Sequence, residues 1–162
     1  MQTDTHQVFF TQINNITQDN PLELYPVDRE SSRTDIANYL IEQELIGPNQ
    51  DEQNQGFSNF LLLFKPDYNV QSEFKIPDDY NLVLEKPQSE TEASNLFEYT
   101  LVETTAKINF KRNAYLAGDL SASRIKQQIE KTLLQLPEIK KTYITFNGDA
   151  CWDDMSGKCE EL

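Results

Sequence analysis

Nucleophilic catalysis needs a serine or cysteine next to a base, and that base is most often a histidine. The 162-residue chain has a single histidine, His6, in its polar N-terminal stretch, so a histidine-based triad is not expected. Paired carboxylates could hydrolyse glycosides, and Asp78–Asp79 and Asp153–Asp154 are such pairs. Among 27 acidic residues pairs arise by chance, and a solvated surface explains them better. None of the five glycines forms a phosphate-binding motif. We therefore expect a protein that is not an enzyme and needs no cofactor.

The C-terminal tail holds both cysteines, Cys151 and Cys159, at the ends of a short loop. A disulfide between them would indicate an oxidising compartment, and the alternative is two free thiols. Two cysteines and one histidine cannot complete a zinc site. A bridge could gather four acidic residues into a calcium site, although their spacing does not match an EF-hand; these residues are Asp149, Asp153, Asp154 and Glu160. We expect a disulfide-stapled acidic tail without a metal, and calcium binding is the alternative.

The charge excludes two classes of partner. The chain carries 14 basic and 27 acidic residues, a net charge of −13, whereas nucleic acids and anionic membranes both attract cationic proteins. Residues 101–141 nevertheless hold eight basic and four acidic side chains. Such a bipolar molecule could stack on copies of itself, or a helix and its flanks could simply be rich in lysine.

A candidate interaction surface lies on the second predicted helix. Its basic side chains Arg124, Lys126 and Lys131 could meet an acidic patch of a protein partner or of another copy. Trp152 could also anchor a partner, because tryptophan is enriched at binding hot spots. Alternatively, Trp152 packs on a sheet edge and covers the core.

Hydrophobic spacing indicates the elements that must position these residues. Two amphipathic helices are predicted. The first begins at Ser32 with a capping-box variant at Asp35 and stops at Gly47-Pro48. The second begins at Ser121 or Ser123 and stops at Pro137. Strands are predicted at 8–10, 22–27, 57–64, 80–84, 96–102, 106–110 and 142–146. The segments 49–56 and 86–95 are predicted as polar loops, and the periodicity of 57–64 does not exclude a helix.

The order of elements predicts the fold class. Helices separated by antiparallel strands favour an α+β fold with a small mixed or antiparallel sheet and both helices on one face. The order resembles β-α-β-β-α-β, as in ring-building motifs. No segment approaches the roughly 18 apolar residues of a membrane span. The N-terminus lacks a signal-peptide core, so the protein is either cytoplasmic or an export segment has been removed.

Several motifs resemble the GerMN domain family of sporulation and spore germination proteins. The helix-stop segment is Leu45-Ile46-Gly47-Pro48, followed by Glu52 and Gly56. The further matches are Ile76-Pro77 with Leu82-Val83-Leu84, the strand Ala106–Phe110, the helix segment Gln128–Lys140 and the closing strand and turn Ile144–Asp149. The match covers about Val8 to Asp149. It departs from the family pattern in a long apolar stretch near 57–75 and in the tail.

The resemblance implies a division of the chain and a function. Residues 1–7 are expected to be disordered, 8–149 to form the GerMN-like domain with an insertion near 57–75, and 150–162 to be an acidic tail. The family implies a non-catalytic, extracytoplasmic envelope protein, secreted or lipid-anchored, that acts by protein–protein interaction or assembly. The alternative is a domain that binds or hydrolyses envelope glycans or small ligands through surface carboxylates.

Overall fold

A computed structural model of the protein describes residues 2–12, 23–61, 63–64, 84–114 and 121–153. The helices are α1 (Ile36–Ile46), α2 (Gln50–Asn54), α3 (Glu90–Ser94) and α4 (Ser121–Leu133). The strands are β1 (Asp4–Gln12), β2 (Tyr25–Ser31), β3 (Phe57–Ser58), β4 (Leu63–Phe64), β5 (Leu84–Glu85), β6 (Phe97–Val102), β7 (Thr105–Phe110), β8 (Asn113–Ala114) and β9 (Lys141–Phe146).

The α+β class is confirmed. The described strands form three three-stranded sheets, in the orders β2-β1-β3, β5-β4-β8 and β6-β7-β9, where the sequence predicted one sheet. All strand pairs are antiparallel except β7 with β9. Helix α4 connects these two parallel strands and so completes a β-α-β unit. Helices α1 and α4 pack against each other and against β1, and α4 also contacts β9.

The N-terminal boundary predicted at Val8 was wrong. Strand β1 begins at Asp4, and residues 4–7 pair with residues 28–31 of β2. These first residues of β1 are mostly exposed, so their side chains carry no hydrophobic signal. Backbone hydrogen bonds hold them in the sheet instead, and such bonds are independent of side-chain polarity.

Two predicted polar loops contain short helices. Helix α2 begins with a reciprocal capping box, in which the Asn49 side chain accepts from the Glu52 N–H and the Glu52 carboxylate accepts from the Asn49 N–H. The Ser89 hydroxyl caps α3 by accepting from the Glu92 N–H. The capping box predicted at Ser32 and Asp35 does not form, because the Asp35 carboxylate accepts hydrogen bonds from Arg33 and makes no cap bond.

The apolar run 57–64 is not one continuous strand. It forms β3 and β4, and Asn59 lies between them with its side chain bonded to the chain around it. Its Nδ2 donates to the Glu44 carbonyl at 2.6 Å, and its Oδ1 accepts from the Leu61 N–H at 3.0 Å. Side-chain bonds of this kind to backbone groups compete with strand pairing, so the strand is interrupted at Asn59. The predicted insertion continues to residue 75, and its residues 65–75 lie outside the described part of the chain.

The core agrees with the predicted stripes of apolar residues. Every second residue of β7 is buried, and so is one face of α4 with the turn after it; these residues are Ala106, Ile108, Phe110, Ile125, Ile129, Leu133 and Leu136. The predicted hairpin between β6 and β7 and the turn at Asn147-Gly148 are also confirmed. Both turn residues have positive φ, 49° and 78°, which asparagine and glycine tolerate best. Among the described helices, none is long and apolar enough to cross a membrane.

Candidate functional site

The basic side chains predicted as an interaction surface on α4 are engaged within the chain. Lys126 forms an ion pair with Asp153 at 3.1 Å. The Lys131 ammonium lies 5.0 Å from the centre of the Phe9 ring, and Arg124 stacks in the same way at 5.1 Å on another aromatic ring. Cation–π contacts and ion pairs of this kind use part of the charge that a partner would need. The surface is therefore a weaker candidate than the sequence indicated.

Trp152 is buried and is not part of an exposed surface. Its side chain packs edge-on against Phe146, with ring centres 4.6 Å apart, and its indole N–H donates to the Ile144 carbonyl at 2.9 Å. The tail residue thus completes the core beside β9. Its neighbour Cys151 is disulfide-bonded. Cys159 lies outside the described residues, so its pairing with Cys151 stays a prediction.

The calcium site also stays a prediction, because Asp154 and Glu160 lie outside the described residues. The other two acids already have partners within the fold. Asp149 accepts a hydrogen bond from the Cys151 N–H at 2.8 Å, and Asp153 pairs with Lys126. Neither carboxylate is held ready for a metal ion in the part of the chain that is described.

The exposed face of the β6–β7–β9 sheet is a better candidate for an interaction surface. Strand register places its side chains in three rows of three: Glu98, Asn109 and Thr145; Thr100, Lys107 and Tyr143; Val102, Thr105 and Lys141. The opposite face of β7 is buried in the core. We call these nine side chains the open face; Thr145 among them is buried, and the other eight are exposed or half-buried. Antiparallel sheets commonly pack one face on the core and expose the other.

Two lysines of the open face have no acidic partner among the described residues. Lys107 and Lys141 are both exposed and form no ion pair there. The two described arginines near α1 contrast with them: Arg29 binds Glu52 at 2.7 Å, and Arg33 bridges several carboxylates. Charge that the fold does not use is available to a partner.

The sequence contained a signal for the open face. The alternation of buried residues along β7 already placed Lys107 on the side away from the core. The sequence pattern did not reveal that β9 pairs in parallel with β7. This pairing brings Lys141 beside Thr105 and onto the same face. This long-range pairing is not visible in local periodicity.

A buried polar cluster at the junction of β1, α1 and α4 was not predicted. Glu44 is 1% exposed. Its carboxylate accepts hydrogen bonds from Gln128 and Thr132 of α4 and, at 3.3 Å, from the Phe9 N–H. Burial raises the pKa of Glu44 to about 7, and these hydrogen bonds oppose the rise.

Among the described residues, the cluster joins β1, α1 and α4, and its carboxyl group is buried. Gln128, also buried, links Glu44 to the segment after β3, because its Nε2 donates to Asn59 at 2.6 Å and its Oε1 accepts from the Phe60 N–H at 3.0 Å. A catalytic carboxyl with a raised pKa would have to reach a cleft. Glu44 reaches only its structural partners.

A second network joins α1 to its surroundings. The side chain of Arg33 bonds to Asp35 at 2.6 Å and to the nearly buried Glu42 at 2.5 Å. The hydrogen bonds that Arg33 donates to Asp35 and Glu42 raise the pKa of Arg33, and the bond to Asp35 lowers the pKa of Asp35. One arginine thus bridges three carboxylates, the third being Glu90 at 3.3 Å, and these bonds fix the start of α1.

Comparison with solved structures shows a distant likeness. No family model matches the chain, and no curated protein matches it. Among solved structures, the tandem GerMN domains of the sporulation protein GerM from Bacillus subtilis are similar, with 15% identity and a TM-score of 0.47. The similarity covers 91% of this chain and 40% of that one, so the chain spans less than half of its length. Similarity at this level carries no argument about function, and GerMN membership stays a prediction.

Proposed function

We propose that this protein is a non-catalytic domain that binds an acidic surface of a protein partner through the open face of its β6–β7–β9 sheet. The observation that carries the proposal is the pair of lysines, Lys107 and Lys141, exposed on that face without acidic partners among the described residues. In a chain with a net charge of −13, the open face carries two lysines against one glutamate, Glu98. An acidic partner surface would gain orientation and association rate from them.

The open face also contains one residue of a type that is enriched at protein interfaces. Tyr143 stands in the middle row beside Lys107, and Val102 is 49% exposed at the end of β6. Threonines fill three other positions. Tyrosine is enriched in interface cores because it combines a large apolar area with a hydrogen-bonding group.

We propose an extracytoplasmic location in the cell envelope, secreted or lipid-anchored. The motifs shared with GerMN domains support this, and so does the disulfide bond at Cys151, because disulfides persist in oxidising compartments. The alternative, glycan or small-ligand hydrolysis by surface carboxylates, requires two convergent acids with one raised pKa. Among the described carboxyls only Glu44 has a raised pKa, and it is sealed in the core.

The test is a charge reversal with a matched control. Purified wild-type protein and the variant Lys107→Glu/Lys141→Glu are each immobilised, and the proteins captured from a native envelope extract are quantified at several salt concentrations. We expect the wild type to enrich an acidic protein in a salt-sensitive manner and the variant to lose it.

The control variant, Lys86→Glu/Lys131→Glu, changes the net charge equally at exposed sites outside the open face. It should retain the captured protein. If it loses that protein as completely as the open-face variant, overall charge rather than the open face governs binding, and the proposal is wrong. Equal capture by the wild type and the open-face variant would also refute it.

A further inference from the structure

Three described strands, β2, β1 and β9, have outward backbone groups that are blocked or covered against pairing with another chain. At the outer edge of β2, Pro26 has no N–H to offer. The Asp28 carbonyl accepts from the Arg29 guanidinium at 3.0 Å, and the Glu30 carbonyl accepts from the Tyr39 hydroxyl at 3.0 Å. Blocking an edge in this way prevents unwanted strand addition.

Side chains also cover the edges of β1 and β9. Gln135, just after α4, acts as a substitute strand, because its Oε1 accepts from the Gln7 N–H at 3.0 Å and its Nε2 donates to the Gln7 carbonyl at 2.5 Å. The next outward amide of β1, at Phe9, donates to Thr132 at 3.2 Å. On β9, the Ile144 carbonyl accepts from the indole of the tail tryptophan.

Strand β6 ends its sheet, and its hydrogen-bonding pattern shows which of its groups face outward. A two-residue loop joins it to β7, so the closing pair Val102 and Thr105 is a hydrogen-bonded pair. Bonded pairs then recur at every second residue. The Lys111 N–H donates to the Leu96 carbonyl at 2.7 Å. Leu96 lies six residues before Val102, so this bond fits the alternation.

The outward groups of β6 have no cover. Phe97, Tyr99 and Leu101 lie between the bonded pairs and direct their N–H and C=O groups away from β7. Across the described parts of the chain, no side chain or backbone group bonds to them. Leu101 is also 40% exposed, and it is one of three exposed large apolar residues found in the described segments. An uncovered edge with exposed apolar side chains is a template for another strand.

We propose that β6 pairs with β6 of a second copy of this chain, antiparallel and about a two-fold axis at Tyr99. In this register Leu101 lies opposite Phe97 of the second copy, and Glu98 lies opposite Thr100. The two three-stranded sheets become one sheet of six strands. A two-fold interface uses the same surface of both copies and closes at the dimer.

The charges at the seam suit a second copy. Thr100 is flanked on β7 by Lys107, so Lys107 of each copy faces Glu98 of the other across one strand, and Glu98 also forms an exposed pair with Lys111 of its own chain at 3.5 Å. No like charges stand directly opposite each other in this register, an arrangement that would destabilise a sheet. The net charge of −13 per copy opposes association at low salt, and salt near 0.15 M, with a Debye length of about 8 Å, relieves this long-range repulsion.

The proposal uses the strand edge and goes beyond the lysine-dependent binding proposed above. Dimerisation places both open faces on the same side of the joined sheet. Lys107 takes part in both proposals, so Lys141→Glu is the variant that separates them, because it removes charge from the open face without touching the seam. Leu101→Pro blocks the edge and leaves both lysines in place.

The experiment measures mass against concentration by sedimentation velocity at low salt and near 0.15 M salt. We expect the wild type to pass from 18.8 kDa to twice that mass, with more dimer at the higher salt. Leu101→Pro should stay monomeric, because proline removes an outward N–H and cannot donate to a second strand. Leu101→Thr, which keeps the amide, should still dimerise. Circular dichroism and Trp152 fluorescence confirm that each variant is folded.

Cysteine pairs test the register. A mixture of Glu98→Cys and Thr100→Cys proteins should form an intermolecular disulfide, since opposed non-bonded residues have Cα atoms about 4.5 Å apart. Either variant alone should cross-link much less. A wild type that stays monomeric at all concentrations would overturn the proposal, as would a Leu101→Pro variant that dimerises normally. Equal cross-linking with and without mixing would overturn the register and with it the two-fold seam.

Discussion

Replacing Glu44 by glutamine should change how the stability of this protein depends on pH. Glutamine keeps the shape of the side chain and can accept from Gln128 while donating to Thr132, but it does not ionise. Glu44 is buried among these partners, and burial raises its pKa from 4.5 to about 7. The positive charge of Arg29 of β2 favours its ionised form and opposes the effect of burial.

The direction follows from proton binding. Between these two pKa values the folded state binds the proton of Glu44 and the unfolded state releases it, so the free energy of unfolding falls as pH rises. From about pH 5 to about pH 8 this one group costs the wild type about 2.5 kcal/mol. The Glu44→Gln variant avoids that loss, so its stability relative to the wild type should improve by about 2.5 kcal/mol over this range.

Urea unfolding followed by Trp152 fluorescence at several pH values gives the free energies, and the carboxyl carbon shift of Glu44 gives its pKa directly. The control is Glu30→Gln, which neutralises an exposed carboxylate of β2. Its stability relative to the wild type should change by less than about 0.5 kcal/mol over the same range. A Glu44→Gln variant whose relative stability is the same at both ends of the range would refute the reasoning, because Glu44 would then be ionised throughout.

Three further predictions follow from the described contacts. Arg33→Ala should lower the free energy of unfolding by about 3 kcal/mol, because it leaves the nearly buried Glu42 without its partner. The control is Lys111→Ala, which removes an exposed ion pair. Equal losses of stability in the two variants would contradict the prediction. Reducing the disulfide at Cys151 should lower the melting temperature and increase quenching of Trp152 fluorescence by added iodide, and an unchanged melting temperature would show that the disulfide does not stabilise the tail. Adding calcium or a chelator should leave the melting temperature unchanged, because Lys126 already neutralises Asp153; a rise with calcium would instead support the metal site.

Periodicity predicted the elements whose apolar residues repeat. The stripe of α4 and the alternation of β7 were correct because one face of each packs on the core. Short helices at 50–54 and 90–94 were missed, since capping rather than burial specifies them. The first residues of β1 were missed for the same reason, because their pairing with β2 depends on backbone bonds.

The polar interior was invisible to the sequence. Gln128 and Thr132 border the apolar stripe of α4, where polar residues are usually exposed. Both are fully buried, because the Glu44 carboxylate of α1 accepts their hydrogen bonds. Local sequence patterns do not reveal contacts between residues more than eighty positions apart. Trp152 was predicted either to anchor a partner or to pack on a sheet edge and cover the core, and the structure shows the second, beside β9.

Site-specific photo-cross-linking tests the proposed function most directly. A photo-reactive amino acid replaces Thr105 on the open face or, in a second variant, Gln127 on the exposed side of α4. In native cells we expect position 105 to give a protein adduct that disappears when Lys107 and Lys141 are both changed to glutamate, and position 127 to give none. An adduct from position 127 alone, or one from position 105 that survives the loss of both lysines, would contradict the assignment of the open face as the binding surface.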